Sequence, residues 1–281
     1  MTERVMRARI LGAMRMTALA LVAMILLLPI YWLIMSSFRP AGDIFRYAGQ
    51  FSIETLVPSR LTLENYVQIL ASGFPRSLFN SLFIAGATVV AGVMVNSMAG
   101  FAFAVFDFPF KRTLFAAVLL SFMMPFESIV IPLYTLMRGL GWTDTYAALI
   151  MPEVAGGLVI FLFRQFFAGI PREIYEAARI DGASWWRIYL NMTLPLSGPT
   201  IATASLMMFI HQWDAFFWPL VAASSADLAV VQVAIARNMT LEQANWGALF
   251  ASASSAVLVA LIPFLLLQRY YIRVVSAQTD R

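Results

Sequence analysis

The chain has 281 residues, 61% of them hydrophobic and 12% charged, with a mean hydropathy of +0.79. That balance excludes a soluble domain and describes a polytopic, all-α membrane protein. Cysteine is absent, which excludes disulfides and cysteine chemistry; the net charge of +4 is spread between apolar runs, which excludes the clustered basic face of a nucleic-acid binder.

A helix crosses the hydrocarbon core with about 20 apolar residues. Residues 16–38 meet this without a charge, after Arg4, Arg7, Arg9 and Arg15. The run is too long for a cleaved leader and passes any small-residue cleavage site, so it reads as the first retained span. Residues 39–76 form a polar outer loop in which Leu61 to Tyr66 begins a helix leading back to the membrane. Spans then fall at 77–106, 113–137 and 145–163, joined by a tight turn from Asp107 to Arg112 and a short connection from Arg138 to Asp144. A fifth span covers 194–221, an outer loop 222–245, and a sixth span 246–268. The whole of 1–281 therefore reads as one transmembrane domain with six helices and both termini on the same side.

The segment 169–195 interrupts this pattern with polar sequence. Pro171 suits the first turn of a helix, Glu173 meets its positive end, and Arg172, Glu176 and Arg179 fall on one face where they can pair. Asp181-Gly182 stops the helix, Ser184 can cap a second one carrying Trp185, Trp186 and Tyr189, and Pro195 marks the start of the next span. The expected product is a helix-turn-helix knuckle outside the bilayer. Thirteen of the nineteen Lys and Arg lie on the side shared by the N-terminus and this knuckle, and six lie in the other loops. By the positive-inside rule the termini and the knuckle are cytoplasmic.

Some chemistry is missing. No phosphate-binding glycine loop occurs and Lys111 is the sole lysine, so the chain holds no nucleotide of its own. One histidine and no cysteine leave no metal set. Four ionisable residues fall inside spans, where charge is costly. On straight helices Glu127 lies about 21 Å from the inner end of its span, Asp214 about 30 Å, and Glu153 about 12 Å from the outer end. That outer-half pattern fits a solute vestibule or gate, and equally fits pairing with a neighbouring helix. His211 reads as a satisfied residue facing the bundle.

Glu176-Ala177-Ala178, followed by Asp181-Gly182-Ala183, resembles the EAA loop of ABC importer permeases. Residues 125–134, 140–152 and 161–167, with Thr62 to Tyr66, Asn80-Ser81 and Trp213 to Leu220, narrow the likeness to the second permease of the carbohydrate-uptake, maltose-permease-like class. Two departures are Asp214, where many members carry asparagine, and the tail 273–281, which replaces a glycine-rich ending. The resemblance implies the type I importer permease architecture in a bacterial or archaeal cytoplasmic membrane. It implies three partners: a second homologous permease, a dimer of ATP-binding subunits, and an extracytoplasmic solute-binding protein. No cofactor is bound by this chain; ATP and Mg²⁺ belong to the ATPase. Glu176, Ala177, Ala178, Asp181, Gly182, Ala183, Trp185 and Trp186 would couple to that ATPase, which makes this chain a transporter subunit and not an enzyme. Glu127, Glu153, Trp213 and Asp214 would line the solute path or gate, and Ser225, Asp227 and Val230 would touch the binding protein. The solute would be a sugar or a related polyol such as glycerol phosphate. The alternative is an ion-coupled transporter in which Glu127, Glu153 and Asp214 take up protons and no ATPase is needed.

Overall fold

Inside a bilayer the backbone has no water to bond, so apolar runs close their hydrogen bonds internally as helices. The computed structural model describes the backbone of residues 2–46, 49, 52–239 and 244–279, and the side chains of those between 10 and 266. Its main helices are α1 (Thr2–Ser37), α2 (Glu64–Ala71), α3 (Phe74–Val105), α4 (Lys111–Met123), α5 (Phe126–Gly139), α6 (Tyr146–Val154), α7 (Gly157–Ala168), α8 (Arg172–Ile180), α9 (Trp185–Leu196), α10 (Gly198–Trp213), α11 (Phe217–Ala222), α12 (Val231–Arg237) and α13 (Trp246–Thr279). Among the described residues, strand-like pairing is limited to one bridge, Met239 with Ala244.

Three helical stretches are long and apolar enough to cross a membrane unaided: Ile10–Ser37, Phe74–Val105 and Trp246–Leu266. The other candidate spans are bent pairs: α4 with α5 at 103°, α6 with α7 at 40°, and α9 with α10 at 77°. Each break has a local cause. Pro125 cannot continue α4, and it forces Met124 into extended backbone. Gly156 is extended between α6 and α7. Pro195 does not start a new span; α9 runs through it, and a π-turn over Tyr189–Thr193 absorbs its missing N–H. The bend comes later, at Ser197, before Gly198 and Pro199. Depths measured along straight rods therefore do not hold for Glu127, which opens α5 beyond the sharpest bend, or for Asp214, which stands past the end of α10.

Contacts divide the chain, read from sequence as one domain, into two compact units: Met1–Ser72 with Ile235–Val257, and Gly73–Ala234 with Leu258–Arg281. In the first unit, residues 10–31 of α1 are exposed along their length. Past that helix, Asn65 donates to the carbonyls of Ser37 (2.9 Å) and Arg39 (2.7 Å), and Ser37 shares a 2.7 Å bond with the Tyr66 hydroxyl. Buried Arg39 donates to Thr55 O at 2.8 Å. The helix begun near Leu61 is the short α2, separated from α3 by Ser72 and Gly73.

The second unit is built on α3. Ser81, Ala85, Thr88, Gly92, Asn96 and Gly100 recur at helical spacing and are all buried. Small residues let helix backbones approach where water gives no hydrophobic drive. At Gly100 a β-carbon would stand 2.6 Å from Phe163 Cβ and 2.8 Å from Arg164 N, so α7 closes directly on the α3 backbone. Asn96 supplies the polar tie on this face. Its Nδ2 donates to the carbonyls of Gly92 (2.7 Å) and Val154 (2.8 Å), and its Oδ1 accepts from Gly156 N (2.9 Å). One buried amide thus straddles the break between α6 and α7 and satisfies backbone groups the break sets free.

Candidate functional site: the knuckle and the polar groups at membrane depth

The knuckle forms as its residue types dictate. Pro171 stands at the N-cap of α8 and Glu173 in its first turn. At the other end Gly182 takes φ +79°, Gly182 N donates to Arg179 O (3.0 Å) and Ala183 N donates to Ala178 O (3.0 Å). This pair of bonds is the Schellman cap, which needs a left-handed residue and so favours glycine. Two residues on, the Ser184 hydroxyl caps α9 by accepting from Arg187 N at 3.3 Å. The two helices are joined with no slack between caps.

One face of the knuckle packs inward. Tyr175 and Ala178 join Phe101, Phe167, Ile188 and Tyr189 in a buried cluster, and Trp185 meets Phe106 edge-on at 4.9 Å. Burial pushes the Tyr175 phenol above its ordinary value, a hydrogen bond with the Thr193 side chain opposes this, and the neutral hydroxyl donates to Phe167 O at 3.5 Å. Tyr189 reaches Ser97 on α3 through a 2.7 Å hydroxyl pair. The knuckle is thereby fixed to α3 and α7.

The opposite face is open. Glu176, Ala177, Asp181 and Gly182 are exposed, Ala183 is half-buried, Trp186 is exposed, and Ile180 is 86% exposed beside the turn. Two expectations are corrected. Ala178 faces the cluster and offers nothing outward, because the helical period places it one turn from Tyr175. Arg172, Glu176 and Arg179 form no ion pair among the described residues; Arg179 instead donates to Ala183 O at 2.8 Å and lies 5.2 Å from the Trp185 ring. Glu176 stays uncommitted beside a cleft of about 260 Å³ that Arg172, Tyr175 and Trp185 also line. The outward Ile180 was legible as an isoleucine beside the Asp-Gly stop and was missed.

Within the candidate spans the structure joins two of the ionisable groups. His211 Nε2 lies 3.1 Å from Glu153 Oε2, with the Glu153 side chain 21% exposed and the His211 side chain 72% exposed. His211 is thus satisfied but does not face this chain's bundle. Asp214 follows one turn later and is exposed. Glu127 is exposed in the first turn of α5 and makes no ion pair among the described residues. Trp213 is a packing residue, buried and stacked on Phe209 at 5.5 Å, so no free ring face is left for a solute.

The loop after α11 departs most from expectation. Buried Asn80 donates to Asp227 O (2.8 Å) and Ala229 O (3.0 Å) and accepts from the Tyr146 hydroxyl (2.7 Å). Ser81 Oγ accepts from Val231 N at 2.8 Å, and Asp144 accepts from Ser225 N at 2.9 Å. With the backbone pinned through its carbonyls, Leu228, Ala229 and Val230 turn into the core. Val230 therefore cannot touch a partner, while Asp227 is exposed and Ser225 half-buried. Residues 240–243 of the expected outer loop lie outside the described residues.

Comparison with known proteins gives this architecture a family. The model of the "Binding-protein-dependent transport system inner membrane component" family matches residues 92–276, which include the knuckle and its supporting helices. The arabinooligosaccharides transport system permease protein AraQ of Halalkalibacterium halodurans is 35% identical over 255 residues, 90% of each chain. The sn-glycerol-3-phosphate transport system permease protein UgpE of Agrobacterium fabrum is 31% identical over 265 residues, 91% of this chain and 92% of that one. A bacterial ABC transporter that imports the acidic polysaccharide alginate superposes with a TM-score of 0.80 at 22% identity, over 94% of this chain and 97% of that one. The alginate transporter in complex with its pentasaccharide-bound periplasmic protein gives 0.65 at 18% identity. Dependence on a binding protein sets this family apart from transporters that work alone on an ion gradient. The chain is a multi-pass membrane protein with the ABC importer permease fold, and it belongs to the family of binding-protein-dependent transport system inner membrane components.

Proposed function

We propose that this chain is one of two permeases in an ATP-driven importer of a sugar or related polyol, and that α8 and α9 dock on a separate ATPase that binds ATP and Mg²⁺. The supporting observation is the knuckle: capped at both helix ends, rooted in a buried cluster, and open on the face that carries Glu176, Ala177, Ile180 and Trp186. A rigid element of this kind passes a subunit movement to the flanking helices α7 and α10 as one body, and so can switch which side of the membrane is open. Asp181, Gly182 and Ala183 shape its turn, and Trp185 seats it against Phe106. Six spans would place both termini with the knuckle on the cytoplasmic side of a bacterial or archaeal membrane. A solute-binding protein would approach the other side, where Asp227 and Ser225 remain available. The names of the relatives leave two solute chemistries, a neutral oligosaccharide and glycerol phosphate.

The test is a gentle-detergent pull-down of tagged wild type beside Glu176→Lys and Gly182→Val, with the recovered partners identified and ATPase activity measured. Wild type should bring down a second permease and an active ATPase, and both variants should lose the ATPase. Recovery of intact wild type with no ATPase would end this reading.

A further inference from the structure

The pair Glu153–His211 has no role in the coupling just described, and it is placed for another one. It joins α6 and α10 a few residues before each helix is interrupted, at Ala155 and at Asp214. Asn96, by holding Val154 O and Gly156 N, fixes the backbone that carries Glu153. Two polar atoms stay open: Glu153 Oε1 and His211 Nδ1 make no hydrogen bond among the described residues. Exposed Asp214 stands three residues from His211. Exposed ionisable groups at this depth are too costly to leave against acyl chains and belong beside water or another polar surface.

Resting on the permease reading above, we infer that Glu153 and His211, with Asp214 beside them, form a solute subsite for hydroxyl groups of an uncharged polyhydroxylated solute. A sugar hydroxyl both donates and accepts, so it can donate a hydrogen bond to Glu153 Oε1 and meet His211 Nδ1 whether that atom accepts, in the neutral ring whose Nε2–H faces Glu153, or donates, in the imidazolium. The charge pattern selects against anions. Two carboxylates flank one imidazole, and residues 77–106, 145–163 and 194–221 contain no Lys or Arg. A phosphate or uronate would meet like charge with no cation to offset it. Asn96 is a positioning residue here: it holds the backbone on either side of the break and leaves the solute to Glu153 and His211.

The absence of cysteine makes the test direct. His211→Cys is placed in the complete transporter with cysteine-free partners, reconstituted with its binding protein, and reacted with a permanently charged methanethiosulfonate. The thiol should react, arabinotriose should slow the reaction severalfold, and sn-glycerol 3-phosphate should leave it unchanged. An unreactive thiol would mean that lipid or another subunit covers this face; a reaction that arabinotriose does not slow would leave a wet gate only. Either result, or protection by the phosphate, overturns the subsite. Should His211→Cys fail to assemble, Glu153→Gln keeps the shape and removes the charge. Arabinotriose uptake should then fall about tenfold, the usual scale for one charge-assisted hydrogen bond, and unchanged uptake overturns the proposal. Assembly is scored first by the ATPase subunit in the purified complex, so failure of the importer reading is seen separately from failure of the subsite.

Discussion

Two polar interruptions in the same unit, 169–195 and 222–234, treat their apolar side chains in opposite ways. The knuckle shows Ile180 and Trp186 to the outside, whereas the loop after α11 turns Leu228, Ala229 and Val230 inward. The difference lies in what holds each backbone. The knuckle closes its own hydrogen bonds through the Schellman cap and the Ser184 cap, so its outer face is free to carry whatever a partner needs. Between α11 and α12 the loop closes only one short turn of its own, Ala229 N to Ala226 O at 3.2 Å, and it borrows Asn80, Ser81 and Asp144 from elsewhere in the unit. An apolar residue on a self-capped element is available for docking, whereas one on a borrowed backbone goes to fill the core.

Breaking the borrowed clamp should have the largest effect on stability. Asn80→Ala strands the Ala229 carbonyl and the Tyr146 hydroxyl and leaves Asp227 O with only the 3.4 Å bond from Arg76 Nε; it should cost about 3 kcal/mol, read as a lowered thermal midpoint in detergent and faster proteolysis at 222–234. Ser184→Ala removes one cap from a knuckle that keeps its other ties, and should cost about 1 kcal/mol by the same melt. Ile180→Glu should change stability by less than about 0.5 kcal/mol, as an exposed substitution does, yet reduce ATPase recovery in the pull-down. A large melt shift for Ile180→Glu would place that residue in the fold and erase the contrast between the two regions. An unshifted Asn80→Ala would show that the loop holds itself.

Much of the knuckle was legible because its determinants are local. Pro171, Asp181-Gly182 and Ser184 act within one or two turns, so residue type and spacing specify the caps and the turn. The apolar runs likewise marked the candidate spans, since a bilayer demands internally bonded helices of about the right length. Hydropathy sums were blind to the bends: Pro125 and Pro199 could have signalled two of them, but a window average does not register a missing N–H. The inward turn of Ala178 follows from periodicity once Tyr175 is known to be buried, and that burial is a tertiary fact.

The sequence by itself determined the class of protein, the long apolar helices, and the knuckle with its caps, because each depends on composition or on residues within a few positions of one another. Only the tertiary structure decided that Asn96 bridges a broken helix 58 residues away, that Asn80 clamps a loop 147 residues away, and that Glu153 and His211 meet across 58 residues. Those ties follow from where helices pack, and packing in turn is set by the small-residue face of α3 and the bends that shape its neighbours. No local pattern encodes them.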